Sequence, residues 1–219
     1  MTELVTKRAT QSRSAWPMPL VLMIVCLLVA SAGGYLAAAE AQSSARTAAA
    51  RLSEPGREEQ QLRARSGTWE VVATMWPTPD AAPIVTRGLI AERSMIGSYL
   101  QEVMHPDAGA SVPDFRRLDY LNYDRVEGRW KYVSMDTRFP VSIMPAWSFE
   151  PATDSRIVLQ FNPQAFVGFG ADVEGRLMLS DMVISWPDAE HELKEQHVTT
   201  SDGTGRRWLF VRYEYHRRK

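Results

Sequence analysis

The sequence predicts an all-β domain, an antiparallel up-and-down barrel of eight to ten strands, preceded by an N-terminal hydrophobic helix and a short helical stalk. Three observations carry this. From Gly67 onward lie 19 of the 21 Phe, Trp and Tyr residues, ten of the 13 prolines and ten of the 13 glycines. That stretch divides into short aromatic-rich segments bounded by turn residues, the pattern of strands rather than helices. Its last segment alternates by twos, with Trp208, Phe210, Arg212, Glu214 and His216 on one side and Leu209, Val211, Tyr213 and Tyr215 on the other.

The chain of 219 residues begins with a segment, 14–39, that holds no charged side chain, and Lys7, Arg8 and Arg13 precede it. A basic region followed by an apolar run is the signature of export or of anchoring with the N-terminus in the cytoplasm. Two fates fit residues 1–41. A signal peptidase finds small residues at Ala39 and Ala41 and cuts after Ala41. Alternatively Leu20 to Ala39 stays as a single-pass anchor, since twenty helical residues span roughly 30 Å. The expected location is the bacterial periplasm or the cell exterior, or the inner membrane with the C-terminal domain outside the cytoplasm. Cys26, the one cysteine, lies within the apolar run, so disulfides, cysteine metal sites and cysteine nucleophiles are excluded from the rest of the chain.

Residues 42–65 are rich in Ala, Arg and Glu and read as a stalk, with a second short helix from Arg57 to Arg65 after the Pro55-Gly56 break. The barrel domain is 66–219. Its strands are expected at 68–75, 84–94, 98–104, 115–123, 129–136, 142–150, 156–161, 175–186, 192–200 and 207–216. Asp124 to Gly128 and Ser201 to Gly205 are the clearest hairpin turns. Closure of such a ring removes exposed edges, and about eight strands enclose room for one small ligand.

Gly67-Thr68-Trp69 opens the first strand, and Arg206-Arg207-Trp208-Leu209-Phe210-Val211-Arg212-Tyr213 lies in the last. This pairing resembles the calycin superfamily, the lipocalin-like barrels, in which a Gly-x-Trp is covered by an arginine from the final strand. The resemblance implies that Gly67, Trp69 and Arg212 close one end of the barrel, the guanidinium stacking on the indole and reaching backbone carbonyls. Within that superfamily the chain is most similar to the bacterial domain of unknown function family 1579. The similarity rests on Leu62 to Trp69, Arg93 to Val103, Leu121-Asn122-Tyr123-Asp124 and Tyr213 to Arg217, and spans about residues 60–217. The family usually has a glycine where this chain has Asn122, and 152–172 aligns poorly with it. It implies a fold and an expectation of ligand binding.

The sequence offers little catalytic chemistry. Net charge is −1 with the bases spread along the chain, which lacks the footprint of a nucleic-acid binder. His105, His191, His197 and His216 show no zinc spacing. His191, Glu195 and His197 share one strand face, which reads as a solvated face beside Glu190, Glu192 and Lys194 rather than as a metal site. Gly168 to Asp172 is a turn, with no lysine placed for a phosphate loop. No Gly-x-Ser-x-Gly elbow exists, and Asp136, Glu150 and Asp181 are acids on strands of unknown inward parity. No cofactor is implied.

The aromatic and thioether set, Met75, Met135, Met178 and Met182 included, is more suggestive. Trp76, Trp130, Tyr132, Trp147, Trp186 and Trp208 are the candidate lining of a cavity for a small hydrophobic or amphipathic ligand, with a filled core as the competing reading. The expected function is an exported or membrane-tethered protein binding such a ligand inside the barrel. The alternatives are a partner-binding envelope module with a filled barrel, then an enzyme or a haem binder using His216 or His197 on the same scaffold.

Overall fold

The structure is a computed structural model that describes residues 50, 52–139, 143–150, 153, 155–165, 177–200 and 204–219. The apolar segment, the Ala41 cleavage point, Cys26 and the turns at 168–172 and 201–203 lie outside the described residues. Among the described residues no helix is long and apolar enough to cross a membrane.

Residues Pro55–Lys219 form one compact unit. It contains α1 (Arg57–Arg63) and β1 (Gly67–Met75), β2 (Ile84–Ile96), β3 (Tyr99–Pro106), β4 (Arg117–Asp124), β5 (Arg129–Asp136), β6 (Met144–Trp147), β7 (Arg156–Phe161), β8 (Gln164–Ala165), β9 (Leu177–Ser185), β10 (His191–Thr200) and β11 (Arg207–Arg217). Each strand from β1 to β7 pairs antiparallel with the next, β7 pairs with β9, β9 with β10, β10 with β11, and β11 returns to β1. The result is a closed ring of ten antiparallel strands. The two-residue β8 is added beside β9.

Turn chemistry sets the hairpins. Between β4 and β5 the Asp124 carboxylate accepts the backbone N–H groups of Val126 and Glu127, each at 2.9 Å. The Lys131 ammonium and those N–H groups lower its pKa to about 2. Gly128 closes the turn in the left-handed region, at φ +69°.

One irregularity decides which side chains enter the barrel. Along β10 and β11, Gln196 pairs with Val211 but His197 pairs with Leu209, so Phe210 is an extra residue in β11. This bulge turns Phe210 and Val211 both inward and reverses the alternation beyond them. Trp208, Phe210, Val211, Tyr213 and Tyr215 are buried, whereas Arg212 and Glu214 face outward. The strict alternation expected of β11 holds only on either side of the bulge.

Helix α1, expected as part of the stalk, belongs to this same unit. Its Leu62 is fully buried in an apolar cluster with Leu100, Leu121, Trp130 and Trp186. The helix therefore covers one end of the barrel, here called the helical pole. Met75, Arg117, Asp136, Met144 and Phe161 lie at strand ends on the opposite side, the open pole. A second apolar cluster runs along the β1–β2–β11 wall through Trp69, Val71, Tyr213 and Tyr215.

Candidate functional site

The inward positions of β2, β3, β4 and β10 carry charge where a simple core would carry aliphatic chains. Arg93, Glu102, Arg117, Asp119, Glu192 and Lys194 are all buried. Arg93 donates from both terminal nitrogens to Glu192, at 2.9 and 2.8 Å, and from Nε to Glu102 at 2.6 Å. Lys194 Nζ donates to both Glu102 oxygens at 3.0 Å and to Asp119 Oδ2 at 3.4 Å. Arg117 Nε donates to Asp119 Oδ1 at 3.0 Å, and Ser134 Oγ donates to the same oxygen at 2.7 Å. The Tyr215 hydroxyl and the Trp186 indole N–H complete the shells of Glu102 and Glu192, each at 2.9 Å.

Three cations and three carboxylates thus balance inside the ring and bridge the two apolar clusters. Burial by itself raises the Asp119 carboxyl, but Arg117 and Lys194 overcome it and hold the group well below the usual carboxylate range. Burial likewise opposes ionisation of Glu192, and Arg93 and Lys194 reverse the balance and lower its pKa. Burial raises the Tyr132 and Tyr215 hydroxyls, Asp119 and Glu102 respectively adding to the effect, so both stay neutral donors.

Glu192 and Lys194 correct the sequence expectation. They sit on the inner face of β10, while Leu193 faces outward. His191, Glu195 and His197 are on the outer side, where Asp188 bonds His191 at 2.8 Å and Arg212 bonds Glu195 at 2.8 Å. His197 is held low, first by burial and then by Arg207. Among the described residues no three metal-ligating side chains gather.

At the helical pole, Trp69 is covered on one face by Arg217, whose guanidinium carbon lies 4.4 Å from the ring centre. Arg217 also donates to the carbonyls of Ser66 at 2.8 Å and Ala64 at 2.5 Å. The Trp69 N–H donates to the Arg65 carbonyl at 3.1 Å. Arg93 approaches the same indole from within the barrel at 4.9 Å. Arg212 does not take part: the Phe210 bulge points it outward to Glu195. The closing arginine is Arg217, five residues further along. Gly67 holds φ +122°, and a Cβ there would lie 3.1 Å from Arg217 Nη1, so the residue has to be small.

The six expected cavity-lining aromatics do not converge on one cavity. Trp130, Tyr132 and Trp186 pack in the cluster beneath α1, with Trp130 edge-on to Trp186 at 6.3 Å. Trp208 is buried in the other cluster, donating its indole N–H to the Trp76 carbonyl at 3.0 Å, and Trp76 packs against that cluster. Trp147 stacks with Arg129 and Phe149 near the helical pole. Beside them a polar cleft runs between Arg57, Glu58, Tyr123, Trp130, Phe149 and Glu150, and the Trp130 indole N–H has no acceptor among the described residues.

Besides a small void at Arg65 and Arg93, which Tyr132 and Trp186 of the six aromatics line, a cavity enters the barrel at the open pole. Its lining mixes apolar side chains, Met75, Met144, Phe161, Phe210 and Val211, with polar ones, Arg117, Ser134, Asp136, Arg138, Gln164 and Gln196. The Asp136 carboxylate accepts a two-pronged contact from Arg138, at 2.9 and 2.6 Å. Room for the centres of water-sized molecules is about 60 Å³. One water needs roughly 10–15 Å³ by that measure, so the deep part takes a few heavy atoms and stops at the ion cluster. No histidine lines it, and neither does any of the six aromatics. Met75, Met144 and Gln164 are missed by a search for indoles. Met75 is the last residue of an expected strand, Met144 lies two residues inside another, and Gln164 lies three residues beyond a third.

A closed ten-stranded antiparallel barrel with one helix is thus the class that the fold defines. Among solved structures, the chain is similar to the crystal structure of Rv2717c from M. tuberculosis, with a TM-score of 0.51 and 14% identity over 76% of this chain and 100% of that one. The likeness is one of fold. No family model and no curated protein matches the chain.

Proposed function

We propose that the chain is a lipocalin-like member of the calycin superfamily, akin to the bacterial domain of unknown function family 1579, that holds a small amphipathic molecule at the open pole of its barrel. One observation carries this: the cavity there is lined by both hydrophobic side chains and fixed polar groups. The Trp69–Arg217 closure supports the kinship. The basic, then uncharged, N-terminal region supports export or tethering through residues 14–39. The ligand's polar end enters the barrel, and its apolar remainder lies against Met75, Met144 and Phe161 at the mouth.

The full chain, carried in phospholipid nanodiscs with methyl-labelled methionine, tests this. Short-chain amphiphiles move the Met75 and Met144 methyl resonances and leave that of Met95, packed at the helical pole, still. Ala165→Trp, which fills the mouth, abolishes the shift. Saturating amphiphile that moves neither methyl group removes the reading. That result supports a second one, a partner-binding envelope module, which is favoured by the ion cluster filling the centre of the ring.

A further inference from the structure

We infer that His191 and His216, on the outer face of the barrel next to the Trp69–Arg217 closure, form a binding site for one late first-row divalent metal ion such as Zn²⁺. The two residues stand opposite one another in register, His191 opening β10 and His216 near the end of β11. Directly opposed residues on antiparallel strands point to the same side of the sheet, and both of these are exposed. Their ring centres lie 5.0 Å apart with the planes at 87°. An ion bound by two imidazole nitrogens at about 2.0–2.1 Å holds the ring centres roughly 5 Å apart at a near-tetrahedral angle. The strands therefore already keep the rings at the separation that a shared ion needs.

His191 is also prepared for ligation. The Asp188 carboxylate faces its Nδ1, at 2.9 and 2.8 Å from the two oxygens. A carboxylate only accepts, so the proton of the neutral ring sits on Nδ1 and the lone pair on Nε2. An outer carboxylate of this kind orients a metal-binding imidazole and makes it a better donor. Asp188 is itself fixed by the turn: its Oδ1 accepts the backbone N–H groups of Glu190 at 2.7 Å and His191 at 2.9 Å, and its carbonyl accepts Arg65 at 2.7 Å. His191 Nε2 and both ring nitrogens of His216 have no hydrogen-bond partner among the described residues. Imidazole suits Zn²⁺, Cu²⁺ and Ni²⁺, whereas Mg²⁺ and Ca²⁺ take oxygen ligands. Among the described residues no third ligating side chain gathers, so water completes the coordination. The other two histidines differ: His105 Nδ1 is bonded to the Pro106 carbonyl at 2.8 Å, and His197 lies 3.8 Å from Asp181.

The full chain with ¹⁵N-labelled histidine, in nanodiscs, is titrated with Zn²⁺ to saturation, with empty nanodiscs as the blank. The His191 and His216 ring resonances are expected to move together, those of His105 and His197 to stay, and Mg²⁺ to move none. Saturating Zn²⁺ ties β10 to β11 and raises the melting temperature. His216→Gln is expected to abolish both effects, and His105→Gln to leave both unchanged. Asp188→Asn, which keeps both imidazoles, is expected to weaken Zn²⁺ at least tenfold. Unchanged His105 and His197 resonances show that the His216 and Asp188 variants are folded. Zn²⁺ that moves none of the four histidines, or all four alike, overturns the site, as does a His216→Gln or Asp188→Asn chain that binds Zn²⁺ as tightly as the native one.

Discussion

Arg93→Met tests the ion cluster directly. The side chain is 1% exposed and neutralises two carboxylates at once, so its removal strands charge inside the ring. Glu102 keeps Lys194 and Tyr215, whereas Glu192 keeps only the Trp186 N–H as a hydrogen-bond donor among the described residues. Breaking a buried pair from one side costs about 3–5 kcal/mol. In a unit of this size that lowers the melting temperature by about 6–20 °C. Urea unfolding of the full chain, followed by tryptophan fluorescence, measures it.

The pH dependence is diagnostic. In the native protein the Glu192 pKa is lowered, so its contribution is complete above the ordinary glutamate value, about 4.3, and is lost as pH falls through the lower folded value. Without Arg93, burial dominates and raises the folded value above the ordinary one. The variant then recovers stability as pH falls toward that raised value, and its gap to the native protein narrows between pH 7 and pH 5. Adding Glu192→Gln to Arg93→Met recovers at least half of the loss at pH 7. A gap under about 1 kcal/mol, a gap that widens on acidification, or a double variant no better than the single one refutes the reasoning.

Other outcomes follow from the same geometry. Arg217→Ala removes the stack on Trp69 and the bonds to Ser66 and Ala64, and is expected to cost about 2 kcal/mol or more, whereas Arg212→Ala breaks a half-exposed pair and costs about 1 kcal/mol or less by the same unfolding assay. Gly67→Ala is expected to lose about 1–3 kcal/mol, because its backbone sits at φ +122° against Arg217. Leu62→Ala empties a fully buried position at the helical pole and costs about 2–5 kcal/mol, with faster tryptic cleavage at Arg63 and Arg65 as the local readout. Native stability is expected to be flat above about pH 5 and to fall below it as Asp119 and Glu192 take up protons, measured by unfolding at fixed urea across pH.

The strand plan was readable because half-buried strands announce themselves by twos. The segments 129–136 and 156–161 match β5 and β7 residue for residue. Two things were not readable. A bulge inserts one residue without any special composition, so nothing in Leu209-Phe210-Val211 marks where the alternation of β11 shifts, and Arg212 was given the place that Arg217 occupies. The ion cluster was hidden for a different reason. Glu192 and Lys194 on a strand look like a solvated face, and only their partners on β2, β3 and β4 reveal that this face is the inner one. Those partners lie 75 to 99 positions away in the chain, beyond the reach of local patterning. At the mouth, Met75 stands in the aromatic and thioether set, whereas Met144 and Gln164, near strand ends, carry less apparent meaning than six large aromatics.

Because β1 joins both β2 and β11, Trp69 meeting Arg217 across the seam, the ring cannot shut until β11 has been made. The same is true of Arg93, which waits 99 positions for Glu192. A nascent chain therefore passes through a stage with two unsatisfied strand margins and uncompensated charge facing inward, and contacts of such long sequence separation form slowly. Closure of the barrel is consequently an all-at-once event once β11 is available, and loss of that strand leaves an open sheet prone to pairing with its neighbours.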